Sequence, residues 1–348
     1  MNCKNNNPII SIVIPSRNER NYIGACLDSV LNQGYGDDRL DVIVVDGMSE
    51  DGTREIVREY LKKYSFIRML DNYKRVTPAA LNVGVKNARG EYILILGSHS
   101  ELGDGVLRII ADKYRDKKAD CIGGLIKTLP GDSTVVANAI ALALSHPFGV
   151  GRSYFRIGMR QERYVNTVPY GCYRKGVFEK IGMFDEDLVR NQDDEFNLRL
   201  FNRGGKLLLV PQIISKYYAR GSLKKLWMMF YQYGYFKPLV AKKVGIRRTW
   251  RQMIPAFFVI GLFASVLSFV YDPLTWKYIV GYVGTYMVVN IYVSSQSARK
   301  KGWKILPILP IVFLVLHLGY GMGYLKGIFD FTLSKQNGGK IDDMPITR

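Results

Sequence analysis

Three stretches near the end of the chain, residues 253–271, 278–293 and 305–325, contain no Lys, Arg, Asp or Glu. The first and third approach the ~20 residues that a bilayer-spanning helix needs. The second reaches that length only with Trp276, Lys277 and its flanking serines counted in. Trp250, Trp276 and Trp303 each stand just before a stretch, where an interfacial aromatic belt would put them. The pattern predicts a transmembrane region of about three helices over residues 252–330, followed by a polar tail over 331–348. Pro307 and Pro310 leave a bent or re-entrant third segment open.

Charge divides the chain near the same place. Residues 1–215 hold 30 Lys/Arg against 26 Asp/Glu, and residues 216–348 hold 19 against 4. Residues 216–251 carry ten Lys/Arg, no acid and many aromatics. Nucleic acid would suit such a stretch. A juxtamembrane, interfacial segment on anionic membrane lipid suits it better, at roughly 1 kcal/mol per basic residue near the surface. No nucleic-acid partner is expected. Residues 297–304 are basic and the 272–275 turn is not, so the positive-inside rule puts the front domain and the 297–304 loop on the cytoplasmic face of a multi-pass cell-membrane protein. The first eight residues are polar and lack the apolar run of a secretory leader. Four cysteines lie far apart without a Cys-x-x-Cys, which argues against zinc and against a disulfide framework.

Residues 9–14 form a short β-branched run closed by Pro15, the pattern of a buried strand. Residues 21–33 follow with apolar positions at helical spacing. The alternation recurs: strands over 42–45, 67–70, 92–96 and 121–125, helices over 54–64, 79–86 and 106–114. This predicts an α/β fold, a sheet with helices on both faces, over residues 1–215. Ligands then bind beyond the carboxyl ends of the strands. No Gly-x-Gly-x-x-Gly follows the first strand and no Walker-type loop occurs, so neither dinucleotide nor P-loop chemistry is indicated. Pro15-Ser16-Arg17-Asn18-Glu19 follows the first strand, and Asp46-Gly47-Met48-Ser49-Glu50-Asp51-Gly52-Thr53 closes the second. Taken alone, Asp46 and Asp51 suit turn and helix caps as well as they suit partners of a base or ribose.

In combination these motifs resemble the family 2 glycosyltransferases, which have a Rossmann-like, nucleotide-sugar-binding GT-A fold. The resemblance covers roughly residues 9–215. Its motifs are Pro15, Asn18 and Glu19; Asp46, Ser49, Asp51, Gly52 and Thr53; Ala80-Leu81-Asn82-Val83-Gly84; and Gly90-Glu91-Tyr92. It implies that Pro15, Arg17, Asn18, Glu19, Asp46, Ser49, Asp51, Asn82 and Ser98 face a UDP- or GDP-sugar donor. Gly171, Tyr173 and Arg174 match the family's acceptor-side segment, and the basic 216–251 stripe suits a lipid-linked saccharide acceptor that carries a diphosphate. Residues 191–199 (Asn-Gln-Asp-Asp-Glu-Phe-Asn-Leu-Arg) match the segment that carries the catalytic base, which implies Asp193 as base with Asp194 beside it. The subgroup most resembled is the succinoglycan-biosynthesis type. An inverting transferase needs one carboxylate to take the acceptor hydroxyl's proton, and an adjacent acid raises its pKa toward the working range. Without the resemblance, the same acids read as the first turn of a helix over residues 196–202.

The family places Asp-x-Asp after the fourth strand to hold Mg²⁺ or Mn²⁺. Here Gly97 and His99 stand in those places. The resemblance therefore implies a divalent cation with His99 as protein anchor, beside the alternative of a hydrogen-bonded His99 and a diphosphate neutralised by Arg17 or Arg174. Gly97, and Gln192 where Glu is usual, also motivate a second reading: a catalytically impaired, sugar-nucleotide-binding scaffold in a polysaccharide assembly complex. Residues 135–144 are apolar but too short to span. They suit a core helix or an interfacial one, and the His146–Gly151 sequence that follows favours the second by its resemblance to the same subgroup.

Overall fold

A computed structural model describes residues 8–246 and 250–333. Cys3, Arg247, Arg248 and the polar tail beyond 333 lie outside the described residues. The chain forms two compact units: one from residues up to Lys127 with Gly158–Tyr217, the other from Thr128–Ile157 with residues from Tyr218 onward.

The first unit is built on strands β1 (Ile10–Ser16), β2 (Leu40–Asp46), β3 (Ile67–Asp71), β4 (Tyr92–Ile95), β5 (Ser100–Leu102), β6 (Cys121–Leu129), β7 (Arg163–Val165), β8 (Cys172–Arg174) and β9 (Leu207–Tyr218). The sheet order is β3-β2-β1-β4-β8-β6-β9-β5, with β7 also paired to β9. The first four strands run parallel, Ile10 opposite Leu40 and Tyr92, and Asp46 opposite Asp71. From β8 onward the pairings with β4, β6 and β5 are antiparallel. The sheet is therefore mixed, because the short β8 inserts between β4 and β6.

Helices α1 (Ile23–Leu31), α2 (Thr53–Lys63), α3 (Thr77–Asn87) and α4 (Val106–Asp116) follow the early strands. Every residue of β2 is buried, as expected where helices cover both faces. Ile12, Ile14, Val42, Val44 and Leu94 share one core with Ile23, Leu27 and Val30 of α1 and with Leu107 and Ile110 of α4. Each such side chain contributes about 1.5–3 kcal/mol by leaving water.

The second unit is helical. It contains α5 (Val135–Ala143), α6 (Pro147–Val150), α7 (Tyr154–Ile157), α10 (Leu223–Val244), α11 (Trp250–Tyr271), α12 (Trp276–Lys301) and α13 (Leu309–Ile328); α8 (Lys175–Ile181) and α9 (Gln192–Asn202) belong to the first. Among the described residues, two helices are long and apolar enough to cross a membrane, α11 and α13 with the turn that follows it. The tyrosines of α12 and its basic last turn leave that helix less apolar. Pro310 sits in the first turn of α13 and Pro307 before it, so neither breaks the helix. On α11 only Ala256 and Val259 are buried, while Phe257, Phe263, Leu267 and Val270 are exposed.

Helices α10 and α13 meet backbone to backbone. A Cβ at Gly323 would stand 2.0 Å from the Tyr231 carbonyl oxygen, one at Gly327 2.2 Å from that of Tyr235, and one at Gly234 2.1 Å from that of Tyr320. Glycines four residues apart allow this approach. Segment 135–150 joins the same unit: the His317 ring lies 2.8 Å from the Phe148 carbonyl oxygen and 3.0 Å from the Tyr286 hydroxyl.

Candidate active site

The turns after β1 and β2 are laced into one structure. The Asp46 carboxylate is fully buried. It accepts from the Ser49 N–H (2.9 Å), the Ser49 hydroxyl (2.6 Å) and Arg54 Nη1 (2.9 Å). Ser49 Oγ accepts from the Asn18 N–H at 2.9 Å, and Asn18 Oδ1 accepts from the Glu50 N–H at 3.0 Å. The Glu19 N–H donates to Thr53 Oγ1 (2.8 Å) and the Arg20 N–H to Asp51 (3.0 Å). Burial works against the Asp51 charge, yet hydrogen bonds from Thr53 and from the Arg20 N–H hold its carboxyl below the ordinary range. Arg54 also reaches Asp71 at 2.8 Å, tying the ends of β2 and β3 together. Arg17 lies against Gly47, where a Cβ would stand 3.2 Å from its side chain, and donates to the Arg75 carbonyl at 3.3 Å.

Five non-glycine residues among those described have positive φ: Asn18, Met48, Arg75, Tyr170 and Asn191. Asn18, Met48 and Arg75 lie in the turns just described, Tyr170 precedes Gly171, and Asn191 precedes the acids of α9. Strained backbone of this kind clusters at functional sites.

After β4 the chain reads Gly97-Ser98-His99. Ser98 is buried. A Cβ at Gly97 would stand 3.3 Å from the Tyr170 ring, and the Tyr170 hydroxyl is hydrogen-bonded to Ser100. His99 Nδ1 lies 3.3 Å from Glu19 Oε1, and Glu19 is 5% exposed. The His99 ring meets Tyr217 edge-on at 5.4 Å. Glu101 pairs with Lys216 at 2.7 Å. Among the described residues, no three His, Cys, Asp or Glu side chains gather as a metal cage. One imidazole and one carboxylate together fit an ion whose remaining ligands come from a diphosphate and water.

A second locus is the start of α9. Asn191 takes the left-handed conformation as its N-cap, and Asp193, Asp194 and Glu195 fill the first turn, where the helix dipole favours negative charge. Glu195 is buried and bound by Arg199 at 2.8 and 2.9 Å; Arg199 also donates to the carbonyls of Ile181 and Met183. Asp193 is exposed and Asp194 half-buried. Beneath them, Asn197 accepts from the Tyr173 hydroxyl (2.8 Å) and donates to the Val168 carbonyl (2.9 Å). Tyr173 is 2% exposed; burial, with the charge of Asp193 behind it, drives its hydroxyl pKa well up and keeps it a donor.

Asn82 and Arg174 are tied into the protein frame. Asn82 exchanges hydrogen bonds with the backbone of Phe184 and donates to Glu186, which Lys74 also holds. Arg174 stacks over Tyr114 and Tyr92 and donates to the carbonyls of Ala119 and Tyr114. Gly171 is closely packed: a Cβ there would stand 2.7 Å from Cys121 Sγ. Arg54 supports the first locus without any sequence signal that singled it out, while Tyr170 and Asn197 stand inside matched segments that gave them no role of their own.

The glycosyl transferase family 2 model matches residues 11–182. A dolichyl N-acetyl-alpha-D-glucosaminyl phosphate 3-beta-D-2,3-diacetamido-2,3-dideoxy-beta-D-glucuronosyltransferase of Methanococcus voltae is 31% identical over 92% of this chain and 97% of its own. The chain belongs to glycosyl transferase family 2. Succinoglycan biosynthesis protein ExoA of Rhizobium meliloti is 26% identical over 92% of this transferase and 95% of its own length, which bears out the subgroup resemblance. Among solved structures, mannosyltransferase PcManGT from Pyrobaculum calidifontis, determined with GDP-Man and Mn²⁺, superposes with a TM-score of 0.58 at 15% identity, covering 93% of this chain and 88% of that one. The fold of the transferase is GT-A.

Proposed function

We propose that this transferase is an inverting, membrane-bound enzyme that moves a sugar from a UDP- or GDP-sugar to a lipid-linked or polysaccharide acceptor in surface-glycan or exopolysaccharide synthesis. The observation that carries this reading is the lacing of Asn18–Arg20 onto Ser49–Thr53 at the carboxyl ends of parallel strands. It forms a rigid, polar rim where an α/β sheet binds its ligand. Pro15, Arg17, Asn18, Glu19, Asp46, Ser49, Asp51 and Ser98 belong to the donor side. Asp46 acts there by fixing Ser49 and Arg54, and Asn82 by fixing the 184–186 loop.

Asp193 is the general base. Its carboxylate takes the acceptor hydroxyl's proton while that oxygen bonds to the anomeric carbon and the bond to the nucleoside diphosphate breaks with inversion. Asp194, adjacent and negative, raises the affinity of Asp193 for that proton. Gly171, Tyr173 and Arg174 hold the frame under the acceptor side. A divalent ion bound with the donor would supply Lewis-acid stabilisation of the departing diphosphate, and His99 would be a protein ligand to it. Arg17 adds positive charge on the same side.

Two apolar helices with exposed Phe, Leu and Val support a membrane location. The basic 216–251 segment suits anionic lipid and a lipid diphosphate acceptor, and the relative from Methanococcus voltae has a dolichyl phosphate in its name. We place the catalytic unit on the cytoplasmic face of a multi-pass protein.

Gly97 favours one competing reading, a scaffold that binds sugar nucleotides without turnover. Purified protein with a panel of UDP- and GDP-sugars separates the two. Released nucleotide with at least one donor is the expected result; binding without release across the panel would establish the scaffold.

A further inference from the structure

The missing carboxylate at position 97 is answered from another strand. Parallel pairing of β1 and β4 brings the residues that follow them to one edge of the sheet, Glu19 after β1 and His99 after β4. The two side chains approach to 3.3 Å, Nδ1 to Oε1, a separation at which two donors can share one ion. Glu19 is nearly buried, where a carboxylate interacts more strongly with a cation than it would in water. Glu101 pairs with Lys216 at 2.7 Å, and the Glu19 carboxylate lies beside the imidazole. A Cβ at position 97 would stand 3.3 Å from the Tyr170 ring, a tight approach.

Resting on the donor-site reading above, we propose that Glu19 and His99 together form the protein's half of a divalent-cation site, Glu19 replacing the carboxylate absent at Gly97. Oxygens of a nucleoside diphosphate and water complete the coordination. A mixed imidazole and carboxylate pair suits Mn²⁺ better than Mg²⁺. Neither residue alone can hold the ion, so the site forms only with the nucleotide present.

The test is Mn²⁺ titration of the full-length protein in detergent with UDP and, separately, GDP, read by the electron paramagnetic resonance of free Mn²⁺. The melting temperature of each variant in detergent without nucleotide serves as the folding control, and nucleotide affinity in EDTA is measured on the wild type. Wild type should take up Mn²⁺ only with nucleotide, and the bound ion should show nitrogen modulation from imidazole. Glu19→Gln should weaken uptake at least ~10-fold, the lower bound seen when even an outer-shell partner is removed. It should keep the nitrogen modulation at saturating Mn²⁺, whereas His99→Ala should lose it. Unchanged Mn²⁺ affinity in Glu19→Gln would overturn the assignment and reduce the pair to an internal salt bridge. If Glu19→Gln does not fold, the same titration on Glu19→Asp decides, wild-type affinity again overturning it. Wild type that binds nucleotide in EDTA but takes up no Mn²⁺ overturns this proposal alone. Wild type that binds neither overturns the donor-site reading with it.

Discussion

Three consecutive acids open α9, and their surroundings give them different work. Glu195 is locked to Arg199, while Asp193 is exposed at the helix start. Replacing Asp193 by Asn keeps the shape and the helix start but removes the proton acceptor. Transfer should fall about 10²–10⁴-fold with nucleotide affinity retained; full activity would move the base to another residue. Asp46 and Asp51 read from the sequence as either caps or ligand partners. The structure fills both carboxylates with internal hydrogen bonds. What could not be read was Arg54, because a residue that bridges Asp46 and Asp71 announces itself only once β2 and β3 are in register. Asp51 also carries a pH signature. Its folded pKa is depressed, so its stabilisation is present above the unfolded value of about 3.9 and is lost as pH falls through the folded one. The melting-temperature difference between wild type and Asp51→Asn should therefore be largest above about pH 4 and shrink on acidification. A difference that is constant across that window would remove the charge from the account.

Elements with a strong period were legible, and short ones were not. The expected strand over 42–45 is Leu40–Asp46 and the expected helix over 106–114 is Val106–Asp116, because β-branched runs and 3.6-residue spacing carry their own signal. The three-residue strands β5, β7 and β8 have too few positions for a period, so the mixed half of the sheet could not be foreseen. Gly319, Gly323 and Gly327 have their physical reason in the close crossing of α10 and α13. That reason is testable against a control on α12. A methyl group at Gly323 meets the Tyr231 carbonyl at 2.0 Å, and backbone cannot step aside, whereas one at Gly281 meets nothing within 4 Å. Gly323→Ala should lower the melting temperature in detergent. Gly281→Ala should leave it unchanged or raise it, by up to ~1 kcal/mol of helix propensity. Equal responses would mean that the glycine stripe does not set the packing.

At the scale of the whole molecule, the proposed orientation rests on charge and apolarity together. A nearly neutral catalytic half precedes a half with 19 Lys/Arg against 4 Asp/Glu. Within that second half the basic residues are not evenly spread. The last turn of α12 carries Arg299, Lys300 and Lys301, with Lys304 just beyond, while the turn between α11 and α12 holds Asp272 and no basic residue. Exposed Trp250, Trp276 and Trp303 mark the helix beginnings. In the proposed topology the positive-inside rule would keep the 297–304 loop in the cytoplasm with the catalytic unit and put the 272–275 turn on the far side. The arrangement requires α12 to cross as well, although its tyrosines make it the least apolar of the three. Single cysteines can check this, since Cys26, Cys121 and Cys172 are buried and Cys3 can be changed to Ser. In intact cells a membrane-impermeant maleimide should label Leu274→Cys and spare Lys304→Cys, and permeabilisation should expose both. Labelling of Lys304→Cys from outside would invert the topology, and protection of both would lay α11 and α12 on the inner surface as an interfacial hairpin.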